Sequence, residues 1–297
     1  MRVRRIWLMG VVLVAVSGCA GETAATVHPS GRDVVAQQPP GPGPEAVARR
    51  EERALPAARR QRLDRALARY LDQRPGRVAV AVYDRTTSTR YAFREREPFM
   101  LASVAKMDIL LALLLRAQEE RRGLDGYERT LASRMIRYSD NDCAHELYMT
   151  VGGRRGLTEV LHRVGAQHTR PGGGLYWGTT RSRPSDQVRV LEWLTDPGGP
   201  VSAANRRYAL DLMSTVHPAQ DWGVGAVGGQ VAVKNGWLPA EEHDGRWTVN
   251  SVGRLTVTGH ELLVAVLSER SPAMSTGVAT VEQVARLAVR AFAGQHG

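Results

Sequence analysis

Ser103-Val104-Ala105-Lys106 sets a hydroxyl and a primary amine three residues apart. On a helix such positions share a face, with Cβ atoms about 5–6 Å apart, so Ser Oγ and Lys Nζ can meet. A serine hydroxyl is a poor nucleophile until a neighbouring base takes its proton, and a lysine desolvated among apolar residues is neutral enough to do so. Arginine cannot, because its guanidinium stays protonated. The distinction has weight here: of 40 Lys+Arg only Lys106 and Lys234 are lysines. Taken alone, the pattern is also that of a helix-capping Ser with an unrelated Lys.

Two further groups lie downstream. Ser139-Asp140-Asn141 supplies a second hydroxyl and a carboxamide, suited to relaying a proton to a leaving nitrogen and to holding a substrate amide. By itself it is also an ordinary helix-capping turn. Lys234-Asn235-Gly236 ends the apolar run Val231-Ala232-Val233. A strand edge with Gly admits a substrate backbone, the Lys adds positive charge, and the N–H of Trp237 can aim at an oxyanion.

The elements that must hold these groups follow from periodicity. Leu63, Ala66, Leu67, Tyr70 and Leu71 recur at three and four, so Pro56 to Asp72 is an amphipathic helix. Val78 to Tyr83 and Ser88 to Phe93 read as strands joined by a turn. Met107 to Leu115 is apolar except at Asp108, the pattern of a buried helix. Further helices are expected at Arg129 to Met149, Gly153 to Val164, Ser185 to Leu194 and Asn205 to Ser214. Strands follow at Gln230 to Val233, Trp247 to Val257 and Leu262 to Ser268, with a closing helix from Val281 to Phe292. Strands at both ends around a helical middle give an α+β chain: one antiparallel sheet with helices packed on it.

Ahead of this region, Arg2, Arg4 and Arg5 precede an apolar run from Ile6 to Val16 that is too short for a permanent span. Val16-Ser17-Gly18-Cys19 follows, and small residues before a Cys resemble a bacterial lipoprotein signal, so residues 1–18 are expected to be removed and Cys19 lipidated. Arg4-Arg5 also resembles a twin-arginine signal, which leaves the export route open. Residues 19–54, with Gln37-Gln38-Pro39-Pro40-Gly41-Pro42-Gly43-Pro44, read as a tether. Residues 55–297 are the folded domain, anchored on the outer face of the cell membrane. The formal charge of +10 falls to +7 once Arg2, Arg4 and Arg5 leave. It is spread over separated arginines with no aromatic interleaving, which argues against a nucleic-acid partner.

The order S-x-x-K, S-D-N, K-x-G resembles the penicillin-recognising serine enzymes, class A β-lactamases and DD-peptidases. Both lysines and two of the four asparagines fall in motif positions. The resemblance implies a three-layer α/β/α sandwich with a helical insert and no cofactor or metal. It implies Ser103 as acylated nucleophile, Lys106 as its base, Ser139 as proton relay and Lys234 as electrostatic anchor. Asn141 would contact a substrate amide, and Asn235, Gly236 and Trp237 would line the substrate, with the N–H groups of Ser103 and Trp237 as oxyanion hole. Arg246 looks like the Arg that some members use for a substrate carboxylate, and is equally an exposed strand Arg. The expected partner is a small β-lactam or a peptidoglycan-like peptide, and the chain is expected to be a monomer.

Three departures qualify the substrate. The stretch Gly165 to Thr180, where class A enzymes carry the Glu that activates the deacylating water, has no Asp or Glu, leaving His168 or Gln167 to orient a water. Asn235 replaces the usual hydroxyl residue, with the bulky Trp237 behind it, expected to crowd the strand edge. Only 36 positions separate Ser103 from Ser139, pointing to a more open cleft. The first reading is thus a β-lactamase-like hydrolase with weak turnover. Alternatives are a DD-peptidase or esterase for another acyl group, or a penicillin-binding lipoprotein without turnover. Gly223 to Gly228 matches G-x-G-x-x-G but lacks the strand before and the helix after, and His145-Glu146 and His260-Glu261 lack the second His of a zinc motif.

Overall fold

A computed structural model describes residues 51–294; the export segment, Cys19 and most of the tether lie outside the described residues. The first strand, β1 (Arg53–Ala54), is short, and α1 (Ala57–Leu71) follows with Leu63, Leu67 and Leu71 on its buried stripe. β2 (Arg77–Asp84) and β3 (Thr89–Phe93) form an antiparallel hairpin. The chain returns to the same sheet through β6 (Gln230–Ala240), β7 (Arg246–Val257) and β8 (His260–Glu269), and ends in α8 (Met274–Ala293). Strand order is β1-β3-β2-β8-β7-β6, with β8 beside both β2 and β7. All pairings are antiparallel but one: β1 runs parallel to β3, so the sheet expected as antiparallel is mixed at that edge.

Side chains alternate across the strands, and each face finds its own helices. Val78, Val80 and Val82 of β2, with Val249, Val264 and Val266, pack against α1 and α8. Ala79 and Ala81 face the other way, with Ala232, Val252, Ala265 and Leu267, onto the helical insert. α2 (Ala105–Glu119) lies within this insert, packed among its other helices, and is buried without a break from Ala105 to Leu115. The insert continues through α3 (Gly126–Arg137), α4 (Asn141–Thr150), α5 (Gly153–Arg163), α6 (Pro184–Thr195) and α7 (Ala203–Ser214). Between them a two-strand ribbon pairs β4 (Phe99–Met100) with β5 (Arg181–Ser182). The result is a helix-sheet-helix sandwich.

Three elements differ from their sequence reading. The helix expected from Arg129 to Met149 is two, because Ser139 takes a left-handed φ of 57° and Asp140 starts a new helix by accepting a hydrogen bond from Cys143 N. The strand expected to stop at Val233 continues to Ala240, since β6 remains paired with β7 through the whole Lys-Asn-Gly-Trp segment. The final helix starts at Met274, seven residues before the expected Val281.

Candidate active site

Ser103 lies in a 3₁₀ turn (Ala102–Val104) that leads directly into α2. Ala102, buried and without a glycine's freedom, takes φ 49° to launch that turn, a conformation that costs on the order of 1–3 kcal/mol and must be held by its surroundings. Four hydrogen bonds hold it. Asn250 donates to the carbonyls of Met100 and Leu101 at 2.8 and 3.0 Å, Leu101 N donates to Thr180 O at 2.8 Å, and Met100 N donates to Glu269 Oε1 at 2.6 Å. Gly236 of β6 closes the other side: a Cβ there would lie 2.7 Å from Ser103 N and 2.6 Å from Val104 N. Only a glycine admits so close an approach of strand edge to nucleophile turn.

One helical turn after Ser103, Lys106 is wholly buried and its Nζ is 3.0 Å from Ser103 Oγ. The same nitrogen reaches Ser139 Oγ at 3.0 Å, Ser139 O at 2.5 Å and Asn141 Oδ1 at 2.8 Å. Desolvation lowers the Lys106 pKa to about 7, against weaker opposing pulls from Asp140 and Cys143. Lys234 is also buried and donates to Ser139 Oγ at 3.1 Å and to Asn235 O at 2.9 Å. Its pKa is pushed well below the ordinary lysine range, first by burial and then by Lys106. Ser139 Oγ therefore lies between two amines that cannot both be comfortably charged. Its left-handed backbone is what turns it toward both.

The other side of Lys106 is covered by Trp177, whose ring centroid is 4.9 Å from Nζ. Trp177 is buried and belongs to the acid-free stretch, at a 3₁₀ turn (Trp177–Thr179) anchored by the Thr180 hydroxyl donating to Trp177 O. His168 and Gln167, at the start of that stretch, are exposed and engaged elsewhere: His168 N donates to Asp186 Oδ2 at 2.7 Å and Gln167 Nε2 to His162 O at 3.2 Å.

Ser103, Lys106, Ser139, Asn141, Lys234 and Gly236 thus converge. Three other candidates do not. Asn235 follows Lys234 on the strand and faces the opposite side, donating to Gln220 O and Trp222 O at 2.7 and 2.9 Å. Trp237 shares that face and packs edge-to-face on Trp222 with centroids 5.8 Å apart, so its bulk goes to the α1/α8 side and does not crowd the strand edge. Only its backbone remains available to the cleft. Arg246 is exposed and pairs with Ala240, four residues past Gly236 and so about 13 Å along the strand. The β6–β7 hairpin is too long to return it to Lys234, which faces Val252. Trp177, Asn250 and Glu269 were missed from sequence, since each meets the site through a contact distant in the chain.

A family model described as "Beta-lactamase enzyme family" matches residues 127–292. "Putative lipoprotein LppW" of Mycobacterium tuberculosis (strain ATCC 25618 / H37Rv) is 28% identical over 257 residues, covering 78% of this chain and 80% of that protein. Among solved structures, a variant of the reconstructed class A β-lactamase of the last common ancestor of Gram-negative bacteria is 25% identical, with TM-score 0.67, covering 79% of this chain and 99% of that one. The TLA-1 extended-spectrum β-lactamase superposes with TM-score 0.71 at 16% identity, over 78% of this chain and 99% of its own.

Proposed function

The chain belongs to the β-lactamase enzyme family, and from that membership we propose that it is a serine acyl-transfer hydrolase that is acylated at Ser103 and turns β-lactams over slowly. The observation that carries the reading is the 3.0 Å approach of Ser103 Oγ to a buried Lys106 whose pKa is lowered to about 7. Near neutral pH much of that amine is free base, able to accept the hydroxyl proton as Oγ bonds to the substrate carbonyl carbon. Charge moves to the carbonyl oxygen, to be met by the N–H groups of Ser103 and Trp237. On collapse the C–N bond breaks, and the leaving nitrogen takes a proton from Ser139 Oγ, which is replenished from Lys106 Nζ 3.0 Å away. Lys234 steadies the Ser139 oxygen through this transfer. Asn141 offers its amide to the substrate side chain.

Deacylation is the weak step. The stretch that carries the water-activating Glu in class A enzymes offers an indole to Lys106, and no carboxylate stands there. The exposed position of Arg246 and the turned-away Asn235 also leave a β-lactam carboxylate without its expected partners. Both features favour a cell-wall-like or other acyl substrate over antibiotic clearance. We further propose that Cys19 is lipidated and holds residues 55–297 outside the cytoplasmic membrane through the 19–54 tether, in keeping with the relative's description as a lipoprotein. Among the described residues no helix is long and apolar enough to cross a membrane.

The test is covalent labelling with a fluorescent penicillin and a fluorophosphonate, followed by intact mass. Wild type is expected to gain one adduct with at least one probe and Ser103→Ala none; equal labelling of the two would remove Ser103 from its role.

A further inference from the structure

Where the β6–β7 turn meets the end of β8, a cavity of about 370 Å³ is lined by Arg77, Glu97, Arg181, Glu242, His243 and Glu269. Glu242 and His243 belong to the β6–β7 turn, and Glu269 ends β8. We propose that Glu242, His243 and Glu269 bind one divalent transition ion of the zinc class.

His243 is 8% exposed, and its Nδ1 is 3.0 Å from Glu242 O. A carbonyl only accepts, so Nδ1 carries the hydrogen. With Nδ1 donating, Nε2 points toward two carboxylate oxygens, 3.3 Å from Glu269 Oε2 and 3.4 Å from Glu242 Oε1. Glu269 Oε2 accepts from Arg77 and Glu242 Oε1 is paired with Arg181, whereas Nε2 has no hydrogen-bond partner. A proton on Nε2 would be shared over two contacts both longer than good hydrogen bonds. Zinc fits better: with Zn–N and Zn–O bonds of about 2.0–2.2 Å, ligand atoms on a tetrahedron stand about 3.3 Å apart. All three donor atoms lie within 4.8 Å of one another. An imidazole whose other N–H goes to a backbone carbonyl also has the usual orientation of a metal ligand.

The arrangement already holds a cation in this seat. Arg181 Nη2 contacts Glu242 Oε1 and its Nη1 is 3.6 Å from Glu269 Oε1. Its side chain is 36% exposed, so it borders solvent. Arg77 remains, donating through Nε to Glu269 Oε2 at 2.9 Å as an outer support. Because Glu269 Oε1 also accepts from Met100 N, an ion here would fasten the β6–β7 hairpin to the strand leading into the Ser103 turn.

The test is calorimetric titration of Zn²⁺ into the full-length, chelator-stripped chain, with Co²⁺ absorption as second readout. One ion per chain is expected, with a raised melting temperature and the visible bands of tetrahedral Co²⁺. His243→Ala and the milder Glu242→Gln should each abolish stoichiometric binding. Arg181→Gln should tighten it by about tenfold or more, since the ion no longer competes with a charge-assisted pair. Absence of binding by wild type would overturn the proposal. So would stoichiometric binding that survives in both ligand variants, or weaker binding by Arg181→Gln.

Discussion

Trp177 lays its ring against Lys106, 4.9 Å from the amine. The contact joins the acid-free stretch to the proposed base and, on that reading, has two consequences of different sign for the two halves of the reaction. An aromatic wall keeps water from Lys106, which disfavours the charged amine, while the ring face itself attracts an ammonium. The same wall offers no oxygen to polarise a water for attack on the acyl-enzyme.

Acylation and deacylation should therefore separate. General-base assistance is worth about 10²–10⁴-fold, and its absence falls on the second step alone. A nitrocefin progress curve is expected to show a burst near one equivalent and then a slow steady state. Rapid steady turnover without a burst would mean that another group positions the water.

On the proposed reading Lys106 is a base and not only a charge. With a pKa lowered to about 7, the acylation rate constant should rise with pH through that value and level off above it. Lys106→Arg keeps the charge but cannot accept a proton, so it should be nearly as inactive as Lys106→Ala. Stopped-flow labelling of the three proteins across pH checks this; substantial acylation by the Arg variant would favour an electrostatic role.

How far the site was readable from sequence depends on the range of the interaction. Ser103 and Lys106 were legible because three-residue spacing on a helix is local geometry, and because a chain with two lysines leaves few alternatives. The outward turn of Asn235 and Trp237 was also within reach, since strand alternation sends neighbours of Lys234 to the opposite face. The helix start at Ser139-Asp140-Asn141 was legible as a capping turn, but the left-handed φ that brings Ser139 to Lys106 and Lys234 was not, since both partners are distant in the chain. Arg246 stayed open between carboxylate binder and exposed strand residue because its position depends on hairpin length, which no pattern in residues 241–245 announces. Trp177 and Glu269 reach the site only through tertiary folding. The sheet itself followed from periodicity, apart from the two-residue parallel β1, too short to have a period.

Gly236→Ala tests the close approach of β6 to the nucleophile turn. The added Cβ would meet three backbone atoms at 2.6–2.7 Å, Val104 N, Leu101 O and Ser103 N, none of which can rotate away. Overpacking of this kind costs about 1–3 kcal/mol. A displacement of the Ser103 turn by about 1 Å should lower acylation on the order of 10²-fold. Urea denaturation and labelling rates measure the two effects, and an unimpaired variant would mean that the turn is more yielding than its contacts imply.

Burial of Lys106 also predicts a pH dependence of stability whose sign follows from linkage. In the unfolded chain the amine titrates near 10.5, in the folded protein at about 7. Below both values it is protonated in either state, and the folded protein bears the full cost of a buried charge. Between them the unfolded state binds more protons than the folded one, so unfolding free energy rises with pH, by at most about 1.4 kcal/mol per unit. Lys234, lowered in the same direction, adds to the slope. Lys106→Met removes the Lys106 contribution but orphans its partners on Ser139 and Asn141, an offset of about 1–3 kcal/mol for each buried group left unpaired. That offset does not depend on the Lys106 proton. The stability of wild type relative to Lys106→Met should therefore climb between about pH 7 and 9, whichever protein is the more stable at the start. Urea midpoints for the pair at several pH values give the slope directly. A difference that stays flat would mean that Lys106 keeps its proton in the folded state, and the general-base role would fall with it.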